Sequence, residues 1–422
     1  MKLFKKQGII FFVLLIVVIG TFLFVFNPLD FFLAPRQKSF EPEQKTENSI
    51  VEMHPVSPAN PIAPVSAETN PVPKEVKAVY ATSWSAGRNS YVDYLVRLAK
   101  NTEINSVVID IKDWSGYVGY NAQVPEVAKY NAETVRIKDI GALIQKLHEN
   151  GIYAIARIAV FQDPILARNR PDLAVQSKSN ATSFFSNRFL SSLVSSFPMA
   201  FLWLDRKGLA WIDPATKESW DYNISIAKDA INQGFDEINF DYVRFPSDGD
   251  LKNMAFPVWD GTTPKHLIIR EFFKYLREQM PDAKLSIDLF GLSCSSADDL
   301  GIGQVIEDAF GYFDYISPMV YPSHYAHGFL GFQNPAEYPY QVINYSIKTA
   351  SQRLLTFSQS QTTNAKIRPW LQDFNLGAIY EGSMVKAEIQ AVHDATGDNF
   401  NGFMLWNASN FYTEAALQPE IQ

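Results

Sequence analysis

The stretch FDEINFDYVRFP, residues 235–246, sets the frame for the rest of the chain. Ile238 and Phe240 alternate with Asn239 and Asp241, which puts two polar side chains on one face of a strand and two apolar ones on the other. Helical spacing runs through Glu218–Gln233 just upstream, and Gly234 follows where a helix is ordinarily capped. Pro264–Met280 reads as a second helix downstream. A strand held between helices belongs to a parallel sheet covered on its faces.

Seven further runs repeat the pattern: VKAVYATS (76–83), SVVIDIKD (106–113), GIYAIARIAVF (151–161), KLSIDLFG (284–291), DYISPMVYP (314–322), KIRPWLQDF (366–374) and GFMLWNAS (402–409). Helical segments fill most intervals, at Tyr91–Asn101, Asp139–Asn150, Tyr340–Thr356 and Glu381–Ala395. The fifth, Gly303–Phe310, is short, and only Phe411–Leu417 follows the last strand. Eight such units predict an α/β fold, a (β/α)8 TIM barrel rather than an open doubly wound sheet, over residues 76–422. One interval breaks the rhythm, the insertion Gln162–Lys217 (162–217) after the third strand. Long loops are uncommon and usually functional, and this one leaves the barrel face where active sites form. Its end, FLWLDRKGLAWIDP, reads as a hairpin around Lys207 and Gly208, expected to bring Trp211 and Asp213 over that face.

Outside the barrel the composition changes. Lys2, Lys5 and Lys6 lie in a basic tail, residues 1–8, and Ile9–Phe26 follow as 18 residues without a charge. That length spans a bilayer core, and no small-residue cleavage pattern ends it, so a single uncleaved transmembrane helix is expected at 9–26. The positive-inside bias places the lysines in the cytoplasm and the barrel on the extracytoplasmic side of the cell membrane. Residues 27–75 carry prolines at 28, 35, 42, 55, 58, 61, 64, 71 and 73 and read as an extended, disordered linker. The full chain has 422 residues, 47% hydrophobic and 19% charged, which excludes global disorder. A net charge of −8 argues against a nucleic-acid partner. The single cysteine, Cys294, excludes an intrachain disulfide and a cysteine-based zinc cage.

Acids cluster at or near the C-terminal ends of the predicted strands: Asp110 and Asp113 on the second, Asp241 on the fourth, Asp288 on the fifth and Asp373 on the seventh. Strand-end acids in a barrel converge on one pocket, and paired carboxylates are what glycosidic cleavage needs. Acids also flank strand ends as helix caps, which is the alternative for each of them. Arg244, three residues beyond Asp241, could pair with it and hold it ionised; a buried structural Asp–Arg pair gives the same sequence. Asn239 shares the face of Asp241. Arg157 is costly inside an apolar strand unless paired, so it is expected to brace a neighbouring acid. Asp110 and Asp113 bracket Lys112, and one of them is expected to neutralise it. Gly291 after Asp288 is expected to let backbone approach a ligand.

Tyr321 and His324 follow the sixth strand, and Trp406 with Asn407 ends the eighth; aromatics suit sugar faces, and His or Asn suits hydroxyls. His324 and His327 lie in loop-like sequence with no third histidine nearby, so no metal is assigned, and no other cofactor either. Signatures of acyl transfer, nucleotide hydrolysis and dinucleotide binding are missing.

The strings GFDEINFDYVRFPSDG, IKDWSG, ARIAVFQDPILARNRPDLAV, AWIDPA, SPMVYPSHY, RPWLQDF and LWNASNFY together resemble a bacterial family of glycoside-hydrolase-like barrels, distant relatives of the α-amylase type. The resemblance covers Val76 to Tyr412. It implies Asp241 as nucleophile, Asp373 as supporting acid, and Asp288 where the amylases have a Glu proton donor. The shorter Asp side chain shifts that donor by about one C–C bond, which leaves the stereochemical outcome open. The expected function is hydrolysis of a cell-surface or environmental polysaccharide by catalytic Asp241, Asp288 and Asp373. Asp110, Asp113, Arg157, Trp211, Asp213, Asn239, Arg244, Tyr321, His324, Trp406 and Asn407 are expected at the substrate. A barrel that binds glycan without cleaving it, and a metal-dependent deacetylase or phosphodiesterase, are the alternatives.

Overall fold

The computed structural model describes residues 72–178 and 202–418. Eight parallel strands form its centre: β1 (Val76–Ala81), β2 (Ser106–Lys112), β3 (Tyr153–Ala159), β4 (Glu237–Asp241), β5 (Leu285–Phe290), β6 (Tyr315–Met319), β7 (Trp370–Gln372) and β8 (Gly402–Trp406). Each pairs with the next, and β1 pairs with both β2 and β8, so the sheet closes. The expected (β/α)8 barrel is what forms. The expected transmembrane helix, the expected linker up to residue 71 and residues 179–201 of the insertion lie outside the described residues; among those described, no helix is long and apolar enough to cross a membrane.

The helices on the outside are α1 (Asn89–Asn101), α2 (Ile140–His148), α3 (Lys217–Asn232), α4 (Lys265–Gln279), α5 (Ile306–Phe310), α6 (Pro339–Ser358) and α7 (Gly382–Thr396). They form because their apolar residues recur at helical spacing. Ile269, Phe272, Phe273 and Leu276 make one buried stripe along α4. That stripe belongs to the same apolar cluster as the outward-facing Ala154, Ala156 and Ile158 of β3 and Ile238 and Phe240 of β4. A second cluster fills the barrel interior: Tyr80, Val108, Tyr153, Ile155, Trp370 and Met404. A turn at Glu414–Ala416 stands where an eighth helix would follow β8.

The structure departs from the sequence reading in three places. The seventh strand is split, with Lys366–Ile367 paired to β6 and β7 starting at Trp370. Pro369 has no N–H to give the ladder, and Arg368 turns into the barrel to pair with Glu237, both fully buried. Beyond β2 the chain adds Val118–Tyr120, antiparallel to it, and then Glu133–Ile137. A register shift between Asp110 and Lys112 sets Lys112 opposite Ile158. That turns its ammonium to Asp163, 2.9 Å away, and to the Ala159 carbonyl at 2.5 Å. Asp163, not Asp110 or Asp113, is therefore the counterion of Lys112.

The described part of the insertion is built on its own turns. Asp163 caps the short helix Pro164–Asn169 by accepting from Leu166 N at 2.8 Å. The expected hairpin forms, with Leu204 bridged antiparallel to Ala210 across Gly208, whose φ of 76° needs a residue without Cβ. The hairpin packs on residues 174–176, and Ile212 N donates to Phe161 O at 2.8 Å, which ties it to the exit of β3.

Candidate active site

Strand register decides which polar side chains meet inside the barrel. Asp110 lies opposite Arg157, Arg157 opposite Asn239, and Asn239 opposite Ser286. Two residues further along their strands, on the same face, stand Asp241 and Asp288. Arg157 is the centre of the group. Its Nη1 donates to Asp110 Oδ1 at 2.5 Å, its Nη2 to Asp241 Oδ2, and its Nε faces Asp288 Oδ2 at 3.4 Å. Burial works against a charged guanidinium, but the three carboxylates hold its pKa well above the ordinary arginine value. Arg157 thus braces acids as expected, three of them.

Each acid has a distinct setting. Asp110 also accepts from the Tyr80 hydroxyl at 2.5 Å, and burial raises its pKa against the pull of Arg157. Asp241 accepts from Tyr242 N at 2.5 Å. Tyr242 has a φ of 55°, and a left-handed non-glycine residue costs about 1–3 kcal/mol, strain that gathers at functional sites. Asp288 is fully enclosed; its Oδ1 takes Asn239 Nδ2 at 2.9 Å and Trp370 Nε1 at 2.7 Å. That leaves Oδ2, with only the long Arg157 contact, as the oxygen free to carry a proton. Burial, and then the charge of Asp241, push the Asp288 pKa up to about 7, with Arg157 pulling it down. Two neighbouring carboxyls in unlike environments are how barrels assign acid and nucleophile.

A cavity of about 400 Å³ opens beside Asp241, walled by Tyr242, Arg244, Phe290, Met319, Tyr321 and His324, with Gly291, Leu292 and Tyr325 completing it. Of the acids in the group, Asp241 alone faces this space. His324 stacks obliquely near Tyr321, ring centroids 5.4 Å apart, and burial lowers its pKa, so the imidazole is neutral. Gly291, in the wall of this cavity, is also tightly packed. A Cβ there would lie 2.5 Å from Met319 O and 2.7 Å from the Tyr325 hydroxyl, so the missing side chain makes room for the end of β6.

The remaining candidates bond elsewhere. Arg244 does not pair with Asp241, because Arg157 already occupies that carboxylate; its Nη1 donates to Phe245 O and Ser247 Oγ, each at 3.1 Å. Trp211 lies behind the cavity wall, its ring 6.0 Å from that of Tyr242 and its Nε1 bonded to Asp205 Oδ2 at 3.0 Å. Asp213 is buried and accepts from Val258 N and Trp259 N, both at 2.8 Å, which fastens the loop after β4 to the insertion. Asp113 pairs with Arg136 at 2.5 Å. Asp373 accepts from Thr413 N at 2.8 Å and Thr413 Oγ1 at 2.6 Å, and Asn407 Nδ2 donates to its carbonyl. Trp406 stacks on Tyr80 at 6.0 Å and touches Tyr321 and Phe374. Sequence reasoning missed Tyr80, Tyr242 and Phe290. Phe290 was within reach of it, since it stands two residues beyond Asp288 on the same face.

Comparison with known proteins gives a consistent picture. Residues 78–412 match the model of a family described as "Putative glycosyl hydrolase domain". A hypothetical protein from Ruminiclostridium thermocellum ATCC 27405 is 38% identical, covering 53% of this chain and 98% of its own, with a TM-score of 0.43. Alpha-L-fucosidase isoenzyme 2 from Paenibacillus thiaminolyticus is 13% identical with a TM-score of 0.52, and the match covers 81% of this chain and 48% of the fucosidase. An alpha-galactosidase from Thermus thermophilus is 14% identical with a TM-score of 0.44, covering 82% of this chain and 60% of the enzyme. This chain spans less than two thirds of either of those two enzymes, and the fucosidase likeness speaks for the barrel fold alone. No curated protein matches the chain.

Proposed function

The chain belongs to the glycosyl hydrolase family whose model covers residues 78–412, and from that premise we propose that it cleaves a polysaccharide with Asp241 as nucleophile and Asp288 as proton donor. The observation that carries this reading is the pair itself. Asp241 faces the cavity, ion-paired to Arg157, while on the adjacent strand Asp288 has its pKa pushed up to about 7. A carboxylate paired with a guanidinium can attack an anomeric carbon or stabilise the oxocarbenium-like transition state, and a carboxyl with a raised pKa can supply a proton to the leaving oxygen.

Both carboxyls contact nitrogens of one guanidinium. That closeness favours the short carboxyl spacing of retaining enzymes, about 5–5.5 Å, over the wider inverting one. Tyr321 and His324 supply a ring face and a neutral hydrogen-bonding edge for the sugar. Asp373 braces the C-terminal segment through Thr413. The test is a glycan panel with the purified chain, scored for new reducing ends, with the anomer of the first product followed by NMR. Retention is the expected outcome, and inversion would refute the close pair. A barrel that binds without cleaving is the second reading, favoured by the complete enclosure of Asp288. Binding to a glycan that is never shortened would establish it.

We further propose that Ile9–Phe26 anchors the protein and residues 27–75 hold the barrel outside the cell membrane. Removing residues 1–26 should release the protein from the membrane fraction with activity intact. Retention of the truncated chain on membranes would overturn the anchor.

A further inference from the structure

Arg244 has a setting that hydrolysis of a neutral sugar leaves unexplained. It is buried, 8% exposed, yet its guanidinium pairs with no carboxylate among the described residues. Every polar bond it makes there comes from Nη1, to Phe245 O and Ser247 Oγ, so Nε and Nη2 donate to no described residue. Aromatic faces hold it in place: the guanidinium carbon lies 4.6 Å from the Trp211 ring, 4.9 Å from Phe290 and 5.5 Å from Tyr242. Such rings fix the orientation of a cation without neutralising it. The other buried cations of the barrel are treated differently. Arg157 has three acids, Arg368 has Glu237, and Lys112 has Asp163. Charged groups are almost never this enclosed without a partner. Burial lowers the Arg244 pKa below the ordinary arginine value, although Tyr242 and the more distant carboxylates of Asp241, Asp248 and Asp205 act the other way.

Arg244 also lines the cavity that Asp241 faces. We propose that the missing counterion is carried by the substrate: the sugar bound beside Asp241 is acidic, and its carboxylate or sulfate ester seats on Arg244. The planar fork of an arginine suits either oxyanion, with two parallel N–H donors. Asp110 and Asp241 do not forbid this, because both are bound to Arg157, which offsets their charge. The rings of Trp211 and Phe290 hold Arg244 at the wall. The assignment rests on the carbohydrate reading of the site given above.

Ligand-observed NMR titration of the purified full chain separates the two. The probes are D-glucuronate and D-galacturonate, each against its neutral partner, D-glucose or D-galactose, with D-glucose 6-sulfate as the ester. The wild type is expected to bind at least one acidic sugar tenfold or more tightly than its neutral partner. Carboxylate against sulfate then identifies the anion. In Arg244→Gln the preference should fall to about twofold or less, and Arg244→Lys, which keeps the charge but not the fork, should retain part of it. Melting curves of both variants check that they fold, and the wild-type ratio decides the matter even if they do not. Equal binding of acidic and neutral sugars would overturn the acidic substrate, and a preference that survives in folded Arg244→Gln would overturn the seat on Arg244; neither result touches the carbohydrate reading. Failure of every sugar to bind would overturn the carbohydrate site and this inference with it.

Discussion

Asp288 keeps its proton up to about pH 7, because burial and the neighbouring Asp241 oppose ionisation more strongly than Arg157 favours it. A proton donor works in its protonated form, so turnover should fall as the pH rises through about 7. In Asp288→Asn that alkaline limb should vanish along with most activity, and substrates with activated leaving groups should be partly spared, since they need less protonation. A pH–rate profile on both kinds of substrate checks this. The same shift has a stability consequence of definite sign. An unfolded aspartate ionises near pH 4, whereas the folded Asp288 holds on until about 7. The unfolded state therefore sheds its proton first, and the Asp288 contribution to stability is full below about pH 4 and declines from there to about 7. Urea melts of the wild type and Asp288→Asn at pH 4.5 and 7.5 should show a smaller loss across that range in the variant. The contacts that set this shift were not legible in the sequence. Arg157 reaches partners 47, 84 and 131 residues away, and only the strand register brings them together. Proximity in sequence pointed to Arg244 for Asp241 and to Asp110 or Asp113 for Lys112, and both pairings yield to that register.

At the scale of the element, the exit of β3 depends on one buried ion pair. Lys112 at the end of β2 and Asp163 before the helix Pro164–Asn169 are each fully buried, 2.9 Å apart, and Asp163 also caps that helix. Asp163→Asn keeps the shape and strands an ammonium in the core, which should cost about 3–5 kcal/mol in a denaturant melt. The exposed pair Arg170–Asp172 is a built-in control, since losing it should cost less than about 1 kcal/mol. Equal effects of the two substitutions would contradict the role given to Asp163. Elements with local causes were the legible ones. The hairpin around Gly208 and the end of the helix before Gly234 follow from neighbouring residues. The split of the seventh strand was half visible, in Pro369; the inward turn of Arg368 was not, because Glu237 lies 131 residues away.

At the scale of the molecule, eight strands with helices between them suffice to specify a closed barrel, since each strand buries one face against the outer layer and the other against the barrel interior. That repeat is written along the chain, which is why the architecture could be read from it. The pocket is a product of closure and is written nowhere in particular: its walls come from the ends of β4, β5 and β6 and from the loops that follow them. Asp241 is the carboxylate that lines that pocket. The most direct test is turnover by Asp241→Asn on whichever glycan the wild type cleaves, beside melting curves and glycan binding of the same preparations. The account predicts a drop of about three orders of magnitude or more, with folding and binding kept. Hydrolysis at near wild-type rate by a folded Asp241→Asn would contradict it.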